Sequence, residues 1–329
     1  MQLDNQQAVL DTANKFQKSQ YYFKYIRQKF GTDHQSQVTA KPQKVKGNFI
    51  RQVLILCQRY YQLIVRDKVN LIISLLTAPI GVFLINLAIR EKEPFILGNE
   101  ENLALPSLAQ TVIFVFTSAG IWVGLATSLQ EIVKENDIYL RERLVNLNLF
   151  AYLKSKISVL SILAFLQTIL MVGVILVAFS PPESETISWL AGVTITTFLT
   201  LFASLCLGLM TSATVKNSTQ ANSALPLLLL PQIIFSGVLF KIEGFGKYLS
   251  WSMISRWSVG AYGSLVNINS LVPKVKVLPD STKIEAPFKI TEVYNPDWSN
   301  LSLNWQMLLL HSLIYLAITW MMQKRKDII

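Results

Sequence analysis

Hydrophobic positions in this chain gather into six long apolar stretches rather than alternating with polar ones: residues 69–89, 108–129, 157–179, 187–212, 224–240 and 305–322. A helix crosses a bilayer core of roughly 30 Å with roughly 20 apolar residues. The first four stretches meet that length, and the fifth and sixth fall a little short. The fifth contains Pro226 and Pro231. Prolines are tolerated inside membrane helices when neighbours satisfy the freed carbonyls, and they produce kinks. The pattern predicts an all-α membrane protein with six transmembrane helices.

The polar intervals carry patterns of their own. Residues 48–67 place Phe49, Val53, Leu56, Tyr60, Leu63 and Ile64 on one helical face, with Arg51, Gln52, Arg59 and Arg66 on the other. A helix of this kind just before a span is expected to lie flat in the membrane interface with its apolar face in lipid. Residues 130–156 hold nine charged side chains and neither Gly nor Pro. That segment predicts a stiff helix that protrudes, turns near Asn146–Asn148 and re-enters the membrane. A short turn at Ser180, Pro181 and Pro182 joins the third and fourth stretches.

Residues 241–304 form the longest interval between spans. The first part is rich in Trp, Tyr and Phe, which favour the bilayer interface. It reads as a re-entrant or interfacial helical region, and residues 272–297 read as a small cap. At the N-terminus, aromatic residues Phe16, Tyr21, Tyr22, Tyr25 and Phe30 precede a linker at 32–47. The expected organisation is a linker at 1–47, an interfacial connecting helix at 48–67 and a six-helix domain at 68–329 whose outer region is 241–304.

Charge orients this pattern. Of the 30 Lys and Arg, 21 fall in the first, third, fifth and seventh intervals, giving net charges of +12 there and −2 in the other three. The positive-inside rule then puts both termini in the cytoplasm. A net charge of +10 in a soluble chain would point to nucleic acid. Here it is orientation charge with attraction to anionic lipid, and no nucleic-acid module accompanies it.

Catalytic signatures are missing. Cys57, Cys206, His34 and His311 have no metal-ligand spacing. The run Gly244-Phe-Gly-Lys247 lacks the spacing and hydroxyl of a phosphate loop. No stretch carries an Asp or Glu, the groups that ion-coupled carriers use at the membrane midplane. Such a chain is expected to be no enzyme and to take its energy from elsewhere.

Four ordered segments resemble the G subfamily of ABC transporters. The helix running from Arg59 through Tyr60 and Tyr61 to Arg66 and Asp67 is similar to that family's connecting helix. Glu131-Ile-Val-Lys-Glu135 followed by Arg141-Glu142-Arg143 resembles its coupling segment after the second span. Pro231-Gln-Ile-Ile-Phe-Ser-Gly237-Val-Leu239 is similar to the fifth-span pattern, and Ile254-Ser-Arg256-Trp257 to the outer re-entrant region. Residues 13–22 resemble the linker that follows the ATPase domain in bacterial relatives.

The resemblance implies a type-2 ABC exporter fold and a set of roles. Two such domains pair, as homodimer or heterodimer, and each docks on an ATPase subunit that holds ATP and Mg. This chain would bind no cofactor itself. Glu131, Glu135, Arg141, Glu142 and Arg143 would couple to the ATPase, and Arg59 would form a salt bridge with Glu135. Trp122, Val123, Leu230 and Ile233 would line the substrate cavity, with Val238 and Leu239 as the exit plug. The family's usual chain carries an N-terminal ATPase domain, so here that domain would be a separate subunit or part of a longer chain. The outer-loop cysteines of animal members are missing, which implies a bacterial type in the plasma membrane. The cargo implied is a lipid or other hydrophobic compound. A polysaccharide or glycolipid exporter subunit and a non-transporting scaffold are the competing readings.

Overall fold

The computed structural model describes residues 6–28, 48–89, 93–97, 103–273 and 288–326. The linker read at 32–47, Phe30 and most of the cap lie outside these. The chain divides into two compact units, Met1–Gly47 and Asn48–Ile329. In the first, helix α1 (Gln6–Gln17) is followed by short helical turns at Gln20–Tyr22 and Phe23–Arg27. The Ser19 hydroxyl caps the Gln20–Tyr22 turn by accepting from Tyr22 N at 3.2 Å, and Phe16 meets Tyr22 edge-on.

The second unit is built of helices joined by turns, with no strand among its described residues. Helix α2 (Phe49–Arg66) starts at Asn48, whose side-chain oxygen accepts from Ile50 N and Arg51 N. Such a cap satisfies amides that have no partner within the helix. Then come α3 (Lys68–Ile89), α4 (Leu105–Ser128), α5 (Asn136–Leu144), α6 (Leu149–Ala178), α7 (Trp189–Thr214), α8 (Ser218–Ile234), α9 (Phe245–Trp251), α10 (Ile254–Val266) and α11 (Trp298–Lys326).

Among the described residues, α3, α4, α6, α7 and α11 are long and apolar enough to cross a membrane. The fifth apolar stretch is helical only as α8, 17 residues that begin and end earlier than the hydrophobic pattern implies. Pro231 has no amide proton to donate to Leu227, and Gly237 turns with φ 81° three residues past the helix. Residues 235–240 are therefore a turn, not a helix end.

Helices α4 and α7 form the centre. Their backbones close together at two glycines. A Cβ on Gly124 would lie 2.7 Å from the Leu201 carbonyl oxygen, and one on Gly208 would lie 2.0 Å from Ser128 Oγ. Small residues permit this approach, which lets dispersion and short hydrogen bonds hold helices together in lipid. Around that pair stand α6, α10 and α11. Helix α10, in the segment read as re-entrant, has twelve of its thirteen residues buried and packs against α4, α7 and α11. Helix α9 instead exposes Phe245, Tyr248 and Trp251.

Candidate functional site, a charged junction at one end of the bundle

The protruding segment after α4 is not one continuous helix. Helix α4 ends at Ser128, a tight 3₁₀ turn occupies Val133–Glu135, and α5 restarts at Asn136. The break stands because its amides find partners: Ile132 N and Val133 N both donate to Ser212 Oγ of α7 at 3.0 Å. Stiffness here comes from bolting rather than from an unbroken helix.

Several bolts meet at this junction. Glu131, Glu135 and Lys156 are all buried. Lys156 Nζ lies 2.8 Å from Glu135 Oε2 and 3.7 Å from Glu131 Oε2, and 3.6 Å from the centre of the Tyr60 ring. The Tyr60 hydroxyl donates to Glu131, and Lys134 pairs with the same carboxylate. Burial, followed by the neighbouring Glu131 charge, pushes the Tyr60 phenol well above its ordinary range, so it remains a donor. Two carboxylates thus meet two ammonium groups, which is how buried charge is tolerated. Removing one partner of such a set strands the others.

Three further contacts fix α2 and α11 to the same element. Arg59 pairs with Glu142 of α5. Gln52 donates to the Asn146 carbonyl and accepts from Asn148 N, both at 3.3 Å. Lys326 Nζ of α11 reaches Asn136 Oδ1 at 3.3 Å. The turn falls where the sequence predicts it. Asn146 takes φ 69°, and Asn148 caps α6 by accepting from Phe150 N at 2.8 Å. Arg143 donates to the Leu147 carbonyl and so holds the turn, while Arg141 is exposed. At the tip Leu144 and Val145 are 87% and 75% exposed, an apolar cap on a charged projection.

The expected partners differ from the observed ones in two places. The salt bridge read between Arg59 and Glu135 is not formed: Arg59 pairs with Glu142, and Glu135 turns inward to Lys156. The break at 129–135 is the cause, because it rotates Glu135 off the face that meets α2. Helix α2 itself does not give its whole apolar face to lipid. Leu56 and Tyr60 are buried, with α6 as the helix that α2 contacts most, whereas Ile50, Leu54 and Leu63 are exposed. Tyr60, which lies within the connecting-helix pattern, and Lys156 are central to the junction, yet the sequence assigns neither of them a role. The available signal was a lysine at the very edge of an apolar stretch, where only a buried anion would retain it.

The remaining expected site residues are dispersed. Trp122 and Val123 line a cleft of about 980 Å³ bounded by α2, α3, α4 and α6. Leu230 and Ile233 sit on α8, Leu230 exposed and Ile233 partly buried, and neither lines that cleft. Val238 is half-buried and Leu239 exposed in the turn after α8. That turn is anchored: Ser255 at the start of α10 donates through its amide to Gln232 Oε1 at 2.9 Å and through its hydroxyl to the Gln232 carbonyl at 2.5 Å.

Comparison with known proteins places this architecture. Residues 51–266 match the model of the ABC-2 type transporter family. The chain is also 26% identical over 238 residues to an ABC transporter ATP-binding/permease protein of Mycobacterium tuberculosis. That match covers 69% of this chain and 26% of the relative, so the chain spans about a quarter of the relative's length. The family match takes in most of α2, the buried set of Glu131, Glu135 and Lys156, and α10, and the chain belongs to the ABC-2 type transporter family as a membrane-spanning permease domain.

Proposed function

We propose that this permease domain serves an ATP-driven exporter of the ABCG type and carries a lipid or other hydrophobic compound. In this reading residues 1–47 are a cytoplasmic linker, 48–67 the connecting helix and 68–329 the permease proper. Two permease domains pair, each receives an ATPase, and ATP with Mg binds on that ATPase. The observation that carries the reading is the junction: an exposed tip on α5, whose link to α4 is tied to α6 by buried charge. A push on Arg141, Leu144 or Val145 reaches α4 through Glu135, Lys156 and Glu131 without a compliant link. Glu142 and Arg143 hold α5 to α2 and to its own turn.

Cargo would meet the exposed apolar side chains of α4 and α8, Trp122 and Leu230 among them. Val238 and Leu239 close the exit by excluding water, as hydrophobic constrictions do. The 26% identical relative combines ATP-binding and permease functions by name, which supports pairing of this domain with an ATPase. The host membrane is a bacterial plasma membrane, and both termini face the cytoplasm. A photo-crosslinking amino acid at position 144 in the full chain tests the reading. An adduct with an ATP-binding cassette ATPase is the expected product, and adducts with lipid alone would overturn it.

A further inference from the structure

Two cations of this chain sit among packed helices, and they are treated differently. Lys156 has carboxylates at 2.8 and 3.7 Å. Arg256 has none. It is the one residue of α10 that is not buried, and it stands half-buried at the third position of that helix. It belongs to no ion pair among the described residues. The titratable group that acts on its charge is the Tyr294 phenol. Burial pushes that phenol above its ordinary range, and its oxygen accepts from Gln110 at 2.8 Å, so it stays neutral. The Trp257 ring centre lies 5.9 Å from the guanidinium carbon, at the far edge of cation–π attraction.

Depth makes the missing anion costly. Ser258, two residues on, bridges Thr117 of α4 and Thr200 of α7. Those threonines lie twelve and eleven residues from the starts of their helices, about 18 and 17 Å at 1.5 Å per residue. Helix α10 runs back toward those starts, because the Leu265 side chain stands 2.4 Å from where a Cβ on Gly192 would be. Arg256 is therefore about 3 Å deeper than Ser258. That puts it near the middle of helices of 24 and 26 residues, and so near the middle of a core of roughly 30 Å. A cation at that depth is retained for a partner or a pathway.

Its position adjoins residues given above to the cargo. Ser255 holds Gln232 of α8 through two hydrogen bonds, and Gln232 stands between Leu230 and Ile233 on one side and the turn with Val238 on the other. A planar guanidinium without an anion matches an oxyanion bidentately. A free ion would lose its hydration to reach this depth, whereas an amphiphile brings an apolar chain that favours the core.

We propose that Arg256 receives the oxyanion of a long-chain anionic amphiphile, and that the cargo of the exporter is of this class. The second clause rests on the cargo reading above. The site itself does not.

The test uses the full chain with its ATPase partner in phosphatidylcholine vesicles. A trace of hexadecyl phosphate carries a diazirine close to its phosphate, and adducts are mapped by peptide mass spectrometry with and without ATP. In an undisturbed leaflet that diazirine stays at the surface, so adducts at the depth of Arg256 report a headgroup carried inward. Adducts on residues 230–233 and 253–257 are expected. A matched hexadecyl trimethylammonium probe should give about a tenth as many, and Arg256→Gln should lower those of the phosphate about tenfold, the lower range for a charge-assisted hydrogen bond. Removal of an unpaired charge should leave the unfolding temperature unchanged or raised. A fall in unfolding temperature in both Arg256→Gln and Arg256→Lys would mark a structural arginine and overturn the site. Equal labelling by the ammonium probe, or undiminished phosphate labelling in Arg256→Gln, would overturn it as well. Loss of the adducts to excess inorganic phosphate would assign the site to a free anion and overturn the amphiphile. ATP-driven movement of the two probes across the vesicle membrane then tests the cargo. Movement of the phosphate probe alone is expected, and equal movement of both would overturn the anionic cargo. Movement of neither, with the adducts intact, would overturn the cargo reading and leave the site standing.

Discussion

The two ends of α4 are held by opposite chemistry. At the end that leads into α5, charged side chains on α6 and the segment after α4, with the Tyr60 hydroxyl of α2, converge on a buried set. At the other end the contacts are neutral and short. Gln110 of α4 donates to the Tyr294 hydroxyl at 2.8 Å, and midway along α4 the Ser258 hydroxyl of α10 bridges Thr117 at 3.3 Å and Thr200 of α7 at 2.7 Å, while Tyr262 meets Thr197 at 2.7 Å. Thr197 and Thr200 also bond their own helix backbone and lose little when a partner moves. Buried charges lose far more. The difference teaches that one region is held as a rigid unit and the other by contacts that can exchange at low cost.

The largest effect expected from breaking this contrast is at Lys156. Lys156→Met leaves Glu131 and Glu135 facing each other in a buried site, and the loss should be about 3–5 kcal/mol, as for other broken buried pairs. Thermal unfolding in detergent reads it out. Adding Glu131→Gln and Glu135→Gln should recover most of the loss, since the one charge then left in the set is Lys134, whose side chain is about half exposed to solvent.

Ser258→Ala should cost far less, about 0.6 kcal/mol on average and at most about 1.7 for an interhelical hydrogen bond in a membrane. The same unfolding assay applies. A loss as large as that of Lys156→Met would erase the distinction between the two ends.

The smallest effect belongs to Arg59→Ala. Its ion pair with Glu142 leaves the two side chains 38% and 29% exposed, so solvent screens it. The expected change is about 0.2–1 kcal/mol. A double-mutant cycle with Glu142→Ala isolates the pair from the packing of the arginine stem.

Much of this architecture is legible in the residues. Apolar run length predicts the long helices, and Asn48 and Asn148 stand where helix starts need side-chain acceptors. The turn near Asn146 follows because Asn tolerates a positive φ. The partner of Arg59 was not legible. Glu135 and Glu142 are seven residues apart, two turns of a regular helix, and so share a face if the helix is unbroken. Only the partnering of Ser212 Oγ with two amides across the bundle decides that it breaks. Lys156 was hidden for a related reason. Its role depends on carboxylates more than twenty residues away in sequence, and no local pattern records them.

The central claim is that the buried charges transmit motion from α5 to α4. It is tested most directly in the complex with its ATPase, with Cys57 and Cys206 replaced by Ser and a reporter Trp122→Cys on α4. Maleimide labelling of that cysteine is followed with and without ATP. In the otherwise native chain the labelling rate should change with ATP. In the stable variant carrying Glu131→Gln, Glu135→Gln and Lys156→Met, ATP hydrolysis should persist while that change disappears. An ATP-dependent change of undiminished size in this triple variant would contradict the account.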